Sequence, residues 1–123
     1  MTVLVADDEP DLCEITRRIL TRAGLTVVPA AGFREALRVA ADYADEVHLL
    51  LTDLRMPGGS GAELVERLRQ DRPDLRVLFM SGLPKHHPSV LELGPKAAVV
   101  EKPFTPRQLL DAVNAALPAA AGR

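Results

Sequence analysis

Val47-His48-Leu49-Leu50-Leu51 runs directly into Thr52-Asp53. The apolar part is short and shows no in/out alternation, the pattern of a parallel strand buried on both faces. Four further runs read the same way: Thr2–Ala6, Leu25–Pro29, Leu75–Met80 and Ala97–Val100. Amphipathic stretches lie between them. The first spans about Pro10 to Ala23, with Leu12, Ile15, Ile19 and Leu20 at helical spacing and Gly24 as its stop. The second spans about Phe33 to Ala40, with Ala36, Leu37 and Ala40 on one face. The third spans about Gly61 to Gln70, with Leu64, Val65 and Leu68 inward, Arg67 and Arg69 outward, and Pro73 beyond its end. The last spans about Pro106 to Leu117, with Leu109, Leu110, Val113 and Leu117 in register, Thr105 as N-cap and Pro106 at the first helical position. Leu83–Gly94 is the weak segment; its prolines predict a loop and a brief, loosely held helix around Ser89–Leu93. Five strands alternating with five helices predict an α/β fold with right-handed crossovers.

The 123 residues, with formal net charge −2, suit one domain with one continuous core. Trp is absent and aromatics make up 3%, so Leu, Val, Ala and Ile must build that core. No basic stripe points to direct nucleic-acid binding. No apolar run approaches the roughly 18 residues a spanning helix needs, so no membrane insertion is expected. Met1 leads straight into an apolar strand followed by acids, so no secretory leader is expected. The single cysteine, Cys13, excludes an internal disulfide and fits a reducing cytoplasm as filler on a helix face.

Open sheets of this class place functional groups beyond the carboxyl ends of their strands. Those ends carry Asp7, Asp8 and Glu9; Thr52 and Asp53; Ser81 and Gly82; and Glu101, Lys102 and Pro103. Asp7, Asp8 and Asp53 in one crevice would repel one another and raise their pKa values. A hard divalent cation such as Mg²⁺ relieves that repulsion. Lys102 adds a fixed positive charge and Ser81 a hydroxyl donor. Carboxylate, cation, ammonium and hydroxyl around one hole are the parts phosphoryl transfer needs, because its transition state spreads negative charge over peripheral oxygens. A carboxylate can itself be the nucleophile and form an acyl phosphate. The turn-rich Leu54-Arg55-Met56-Pro57-Gly58-Gly59 loop can turn a backbone carbonyl toward the metal. It is no phosphate-cradling P-loop, because the trailing Lys-Ser/Thr is missing.

Four blocks, Val5-Ala6-Asp7-Asp8-Glu9-Pro10, Thr52-Asp53-Leu54-Arg55-Met56-Pro57 with Gly61, Phe79-Met80-Ser81-Gly82, and Glu101-Lys102-Pro103-Phe104, resemble the signature blocks of response-regulator receiver domains. The resemblance covers about the whole chain, in order and with matching spacing. The wording of the last two blocks is especially similar to receivers attached to hybrid sensor histidine kinases. The resemblance implies a flavodoxin-like, doubly wound, five-stranded parallel sheet in the order 2-1-3-4-5. It implies that Asp53 accepts a phosphoryl group from a histidine kinase or a histidine phosphotransfer protein. It assigns direct Mg²⁺ ligation to Asp8 and Asp53, with Asp7 acting mostly through water and the Arg55 carbonyl completing the set. It places Ser81 at the switch-hydroxyl position and Lys102 at the phosphate-pairing position, followed by a usually cis bond to Pro103.

One departure stands out. The family's second switch position, three residues before the lysine, usually holds Tyr or Phe, and here it is Val99. Either the output is read elsewhere or the domain passes phosphate onward. A phosphate-independent docking module is the competing reading. A haloacid-type hydrolase would want an Asp where Arg55 stands, and a flavin carrier would want aromatic stacking residues. Thr52 reads as packing or backbone support, His86 and His87 as exposed loop rather than a metal site, and Arg55 as either a surface residue or a group over the mouth of the site that influences phosphate lifetime. Residues 1–118 are expected to form the domain, 119–123 a frayed tail or linker start, and the chain a monomer or weak homodimer.

Overall fold

The computed structural model describes residues 1–118, and the expected tail over 119–123 lies outside them. The five apolar runs form one parallel sheet: β1 (Thr2–Ala6), β2 (Thr26–Ala30), β3 (Leu49–Asp53), β4 (Arg76–Ser81) and β5 (Ala98–Glu101). Their order across the sheet is β2-β1-β3-β4-β5, as the resemblance implied. Helices α1 (Pro10–Arg22), α2 (Phe33–Asp42), α3 (Gly61–Asp71), α4 (Pro88–Leu91) and α5 (Pro106–Ala116) make the connections.

Burial on both faces explains the uninterrupted apolar strands. Leu4, Ala6, Leu50 and Phe79 pack with Phe33, Ala36, Leu64 and Leu68 on the α2/α3 side. Val3, Val5, Leu49, Leu51, Leu78 and Met80 pack with Leu20, Leu109 and Val113 on the α1/α5 side. Alternate residues of each strand thus feed two separate cores, and neither face needs a polar residue.

Four of the five strands run one or two residues further toward the C-terminus than their apolar content predicts. In β3, β4 and β5 the reason is that polar strand-end residues still belong to the ladder. Asp53 sits opposite Met80, and Ser81 opposite Glu101. In α1 the expected inward position of Ile15 is wrong: Ile15 is 52% exposed, while Thr16 and Leu20 face the core. The weak segment is a loop with a single turn, Pro88–Leu91, and Pro88 rather than Ser89 starts it.

Two helices carry reciprocal capping boxes, each joining the N-cap hydroxyl to the third helical residue. In α5 Thr105 and Gln108 form one, as the N-cap position predicted. In α3 Ser60 and Glu63 form the other. Ser60 also ends a small hairpin in which Arg55–Met56 pairs with Gly59–Ser60 around Gly58, whose φ of +94° favours glycine. The hairpin folds tightly against the end of β3. A Cβ on Gly61 would collide with the carbonyl oxygen of Asp53.

Arg72 fixes the far end of the molecule. Its guanidinium donates to the carbonyls of Tyr43 at 2.8 Å, Ala40 at 3.0 Å and Asp45 at 3.1 Å. These carbonyls lie at and just beyond the C-terminus of α2, where a cation is favoured. Arg72→Ala should lower the unfolding free energy by about 1.5 kcal/mol, since donors to partly buried carbonyls disappear without replacement. An unchanged urea midpoint would show that water replaces the guanidinium at no cost.

Candidate functional site

Parallel strands present all their C-terminal ends at one edge of the sheet. β1 delivers Asp7 and Asp8, β3 delivers Asp53, β4 delivers Ser81 and β5 delivers Lys102. A cavity of about 490 Å³ opens there, and Asp8, Asp53, Arg55, Ser81, His87 and Lys102 all line it. A larger groove of about 590 Å³ elsewhere, bounded by Val65, Arg69, Val77 and Lys96, holds no such constellation.

Lys102 is the hub of this cavity. Its Nζ lies 2.5 Å from Asp53 Oδ1, 3.2 Å from Glu9 Oε1 and 4.0 Å from Asp7 Oδ2. Burial pulls the ammonium's pKa down, but the carboxylates of Asp53, Asp7 and Glu9 outweigh it and leave it above the ordinary value. The bond from Lys102 to Pro103 is cis, and the Lys102 N–H donates to the Ser81 carbonyl at 2.8 Å, which ties β5 to β4.

Asp53 is buried, at 5% exposure, and its Oδ2 has no hydrogen-bond partner. Burial first, and then the neighbouring Asp7 carboxyl, push its pKa up to about 7, although Lys102 pulls the other way. Asp7 is fully buried; Oδ1 accepts the Glu9 N–H at 2.9 Å, while Oδ2 is likewise without a hydrogen-bond partner. Asp8 is exposed, at the rim. The oxygens of Asp7, Asp8 and Asp53 lie within 4.8 Å of one another, the spacing needed to hold one ion. Two orphaned buried carboxylate oxygens beside an exposed third carboxylate suit a hard cation that keeps some of its water.

Ser81 is buried, and its Oγ accepts the Leu83 N–H at 3.0 Å, so the hydroxyl is turned toward the β4–α4 loop. Thr52 donates to the Asp53 carbonyl at 3.0 Å, a backbone role as expected. Arg55 lines the cavity, but its guanidinium reaches across to α4 and donates to Ser89 Oγ at 2.7 Å. Val99 stands opposite Phe79 in the ladder and packs against the α2/α3 core, with no ring to rotate.

His86 is exposed loop, as expected, but His87 is not. His87 is half-buried, caps α4 by accepting the Ser89 N–H on Nδ1 at 3.1 Å, and lines the cavity. The sequence also leaves Glu9 without a role, although it stands in the same acidic run and pairs with Lys102.

A family model described as the response regulator receiver domain matches residues 3–114. The chain belongs to that family. Receiver domains are signalling phosphoacceptor domains of two-component systems rather than enzymes in the ordinary sense. The chain is similar to the sensor kinase CckA of Brucella abortus, with 32% identity over 114 residues, 92% of this chain and 12% of the kinase. It is 24% identical to the response regulator SaeR of Staphylococcus aureus over 113 residues, 91% of this chain and 48% of the regulator. The chain therefore spans less than half the length of either relative. Among solved structures, the receiver domain of the hybrid histidine kinase CckA superposes with a TM-score of 0.80 at 27% identity, covering 96% of this chain and 100% of that one. Among the described residues, no helix is long and apolar enough to cross a membrane.

Proposed function

We propose that this receiver accepts a phosphoryl group on Asp53 in a Mg²⁺-dependent reaction. The observation that carries the reading is the Lys102 ammonium 2.5 Å from one Asp53 oxygen while the other oxygen is buried and unpartnered. Of the two Asp53 oxygens, one stays on the cation side with Asp7 and Asp8, and the other is the nucleophile. It attacks phosphorus, an Asp53 O–P bond forms, and the P–N bond of a phosphohistidine breaks, returning the electron pair and the site for a proton to the imidazole. Lys102 stays against the peripheral oxygens, and Ser81 turns its hydroxyl from the loop to donate to one of them. Asp8 and Asp53 would hold Mg²⁺ directly and Asp7 mostly through water, with the Arg55 carbonyl completing the protein ligands. Bound there, Mg²⁺ would offset the charge of the crowded carboxylates and of the phosphoryl oxygens.

The donor is a histidine kinase or a histidine phosphotransfer protein, and the setting is cytoplasmic. Residues 1–118 act as a free-standing receiver or as the receiver of a hybrid histidine kinase, a context supported by the likeness to CckA. Incubation with Mg²⁺ and phosphoramidate, followed by intact mass, should show one added phosphoryl group on the wild type and none on Asp53→Asn. An adduct that survives Asp53→Asn would overturn the assignment.

Val99 and the one-turn α4 favour a second reading, a docking module that works without phosphate. It requires equal partner binding by the wild type and Asp53→Ala.

A further inference from the structure

The α4 turn has little of its own to hold it. It is four residues long, none of them buried, and Leu91 is 62% exposed. A helix this short has no stability in isolation, so its ties to the rest of the molecule decide whether it persists. Val90 and Leu93 pack loosely against the α2/α3 core. Two polar ties converge on Ser89: its N–H is capped by His87, and its Oγ accepts from Arg55 at 2.7 Å. Arg55 lies two residues after Asp53 and lines the same cavity. It also bounds a cleft of about 280 Å³ that continues from that cavity toward Ser89, Glu92 and Leu93. Arg55 therefore borders the cavity of the acceptor carboxylate and is tied to the α4 turn.

We propose that the Arg55–Ser89 bond is a latch, opened when a phosphoryl group on Asp53 draws the Arg55 guanidinium away from the hydroxyl. The proposal rests on Asp53 as phosphoacceptor and supplies the conformational readout that Val99 cannot. A guanidinium hydrogen bond to an ionised phosphoryl oxygen is stronger than one to a neutral, solvent-exposed hydroxyl. The competition therefore runs from Ser89 toward the phosphoryl group whenever that group is present. His87 keeps its cap on the Ser89 N–H, so the turn loosens without losing its start. The surface that changes is Ser89–Leu93 together with the cleft beneath it, and that is the face a partner would read.

Amide hydrogen exchange at Leu91 and Glu92 tests this, because their N–H groups bond to the carbonyls of His87 and Pro88 within the turn. The full chain is measured with Mg²⁺, with and without beryllofluoride, while fluorine NMR reports independently whether the mimic is bound. In the wild type, the bound mimic should speed exchange at both amides by about threefold or more, as local opening becomes easier. Ser89→Ala and Arg55→Ala should exchange at the faster rate without the mimic and should not respond further to it. A bound fluorine signal with unchanged wild-type exchange overturns the latch. So does resting exchange in Ser89→Ala equal to that of the wild type, a comparison that needs no ligand. Absence of a bound fluorine signal counts against Asp53 as acceptor instead, and the Ser89→Ala comparison still decides whether the tie holds the turn.

Discussion

Lys102→Ala should phosphorylate from phosphoramidate about a hundredfold more slowly than the wild type, the usual consequence of removing one preorganised charge from a transition state. The ammonium is well placed for that role. It is 16% exposed at the side chain and touches Asp53, Glu9 and Asp7, so its charge is only partly screened by water. As phosphorus approaches Asp53, negative charge spreads onto peripheral oxygens that the acidic neighbours would otherwise repel. The same substitution should have the opposite effect on the cation. Without the ammonium the three clustered carboxylates are less compensated, and Mg²⁺ should bind Lys102→Ala more tightly. Slower phosphorylation with tighter metal binding separates loss of the ammonium from general damage to the site. Wild-type rates in Lys102→Ala would remove Lys102 from the chemistry. Lys102→Arg should recover only part of the rate, because a planar fork does not present the compact point charge of an ammonium.

The convergence of these residues was legible in the sequence for a simple reason. In a parallel sheet every strand delivers its last residues to one edge, so carboxylates that end two strands and a lysine that follows a third must meet once the strand order is known. The apolar runs located the strands well enough for this. They misplaced the strand ends, because Asp53 and Ser81 stay in the ladder beyond the last apolar residue. Ile15 misled for a related reason: helical spacing proposes a face, but packing of α1 on the sheet selected Thr16 and Leu20 instead. What could not be read were contacts set by loop paths. His87 as a cap that also lines the cavity depends on how the β4–α4 loop turns, and so does the reach of Arg55 to Ser89. Prolines flank that stretch without imposing any period. Glu9 was visible in the acidic run, but its pairing with Lys102 depends on a side-chain direction that spacing alone does not specify.

The phosphoacceptor should also be a liability to the metal-free fold. In the presence of a chelator at neutral pH, Asp53→Asn should be more stable than the wild type by about 2 kcal/mol, a figure that allows for partial access of water to the carboxylate. Burial and the adjacent Asp7 raise the Asp53 carboxyl from 3.8 to about 7 in the folded protein, net of the opposing pull of Lys102. Below about pH 4 the carboxyl is protonated in both folded and unfolded chains and costs nothing. Between that pH and about 7 the unfolded chain releases the proton while the folded chain retains it. The unfolded state then binds fewer protons, so stability falls as pH rises through this window and levels off above it. Asparagine keeps the size and the acceptor oxygen facing Lys102 without carrying the charge, so its advantage should grow across the same window. Mg²⁺ should reverse the order, since a ligand that binds only the folded state stabilises it and the variant lacks one carboxylate of the site. Urea unfolding of both proteins at about pH 5 and about pH 8, with chelator and then with Mg²⁺, measures all of this. If the gap in chelator does not widen with pH, the Asp53 carboxylate is not under electrostatic stress, and relief of crowding is not what draws the cation to it.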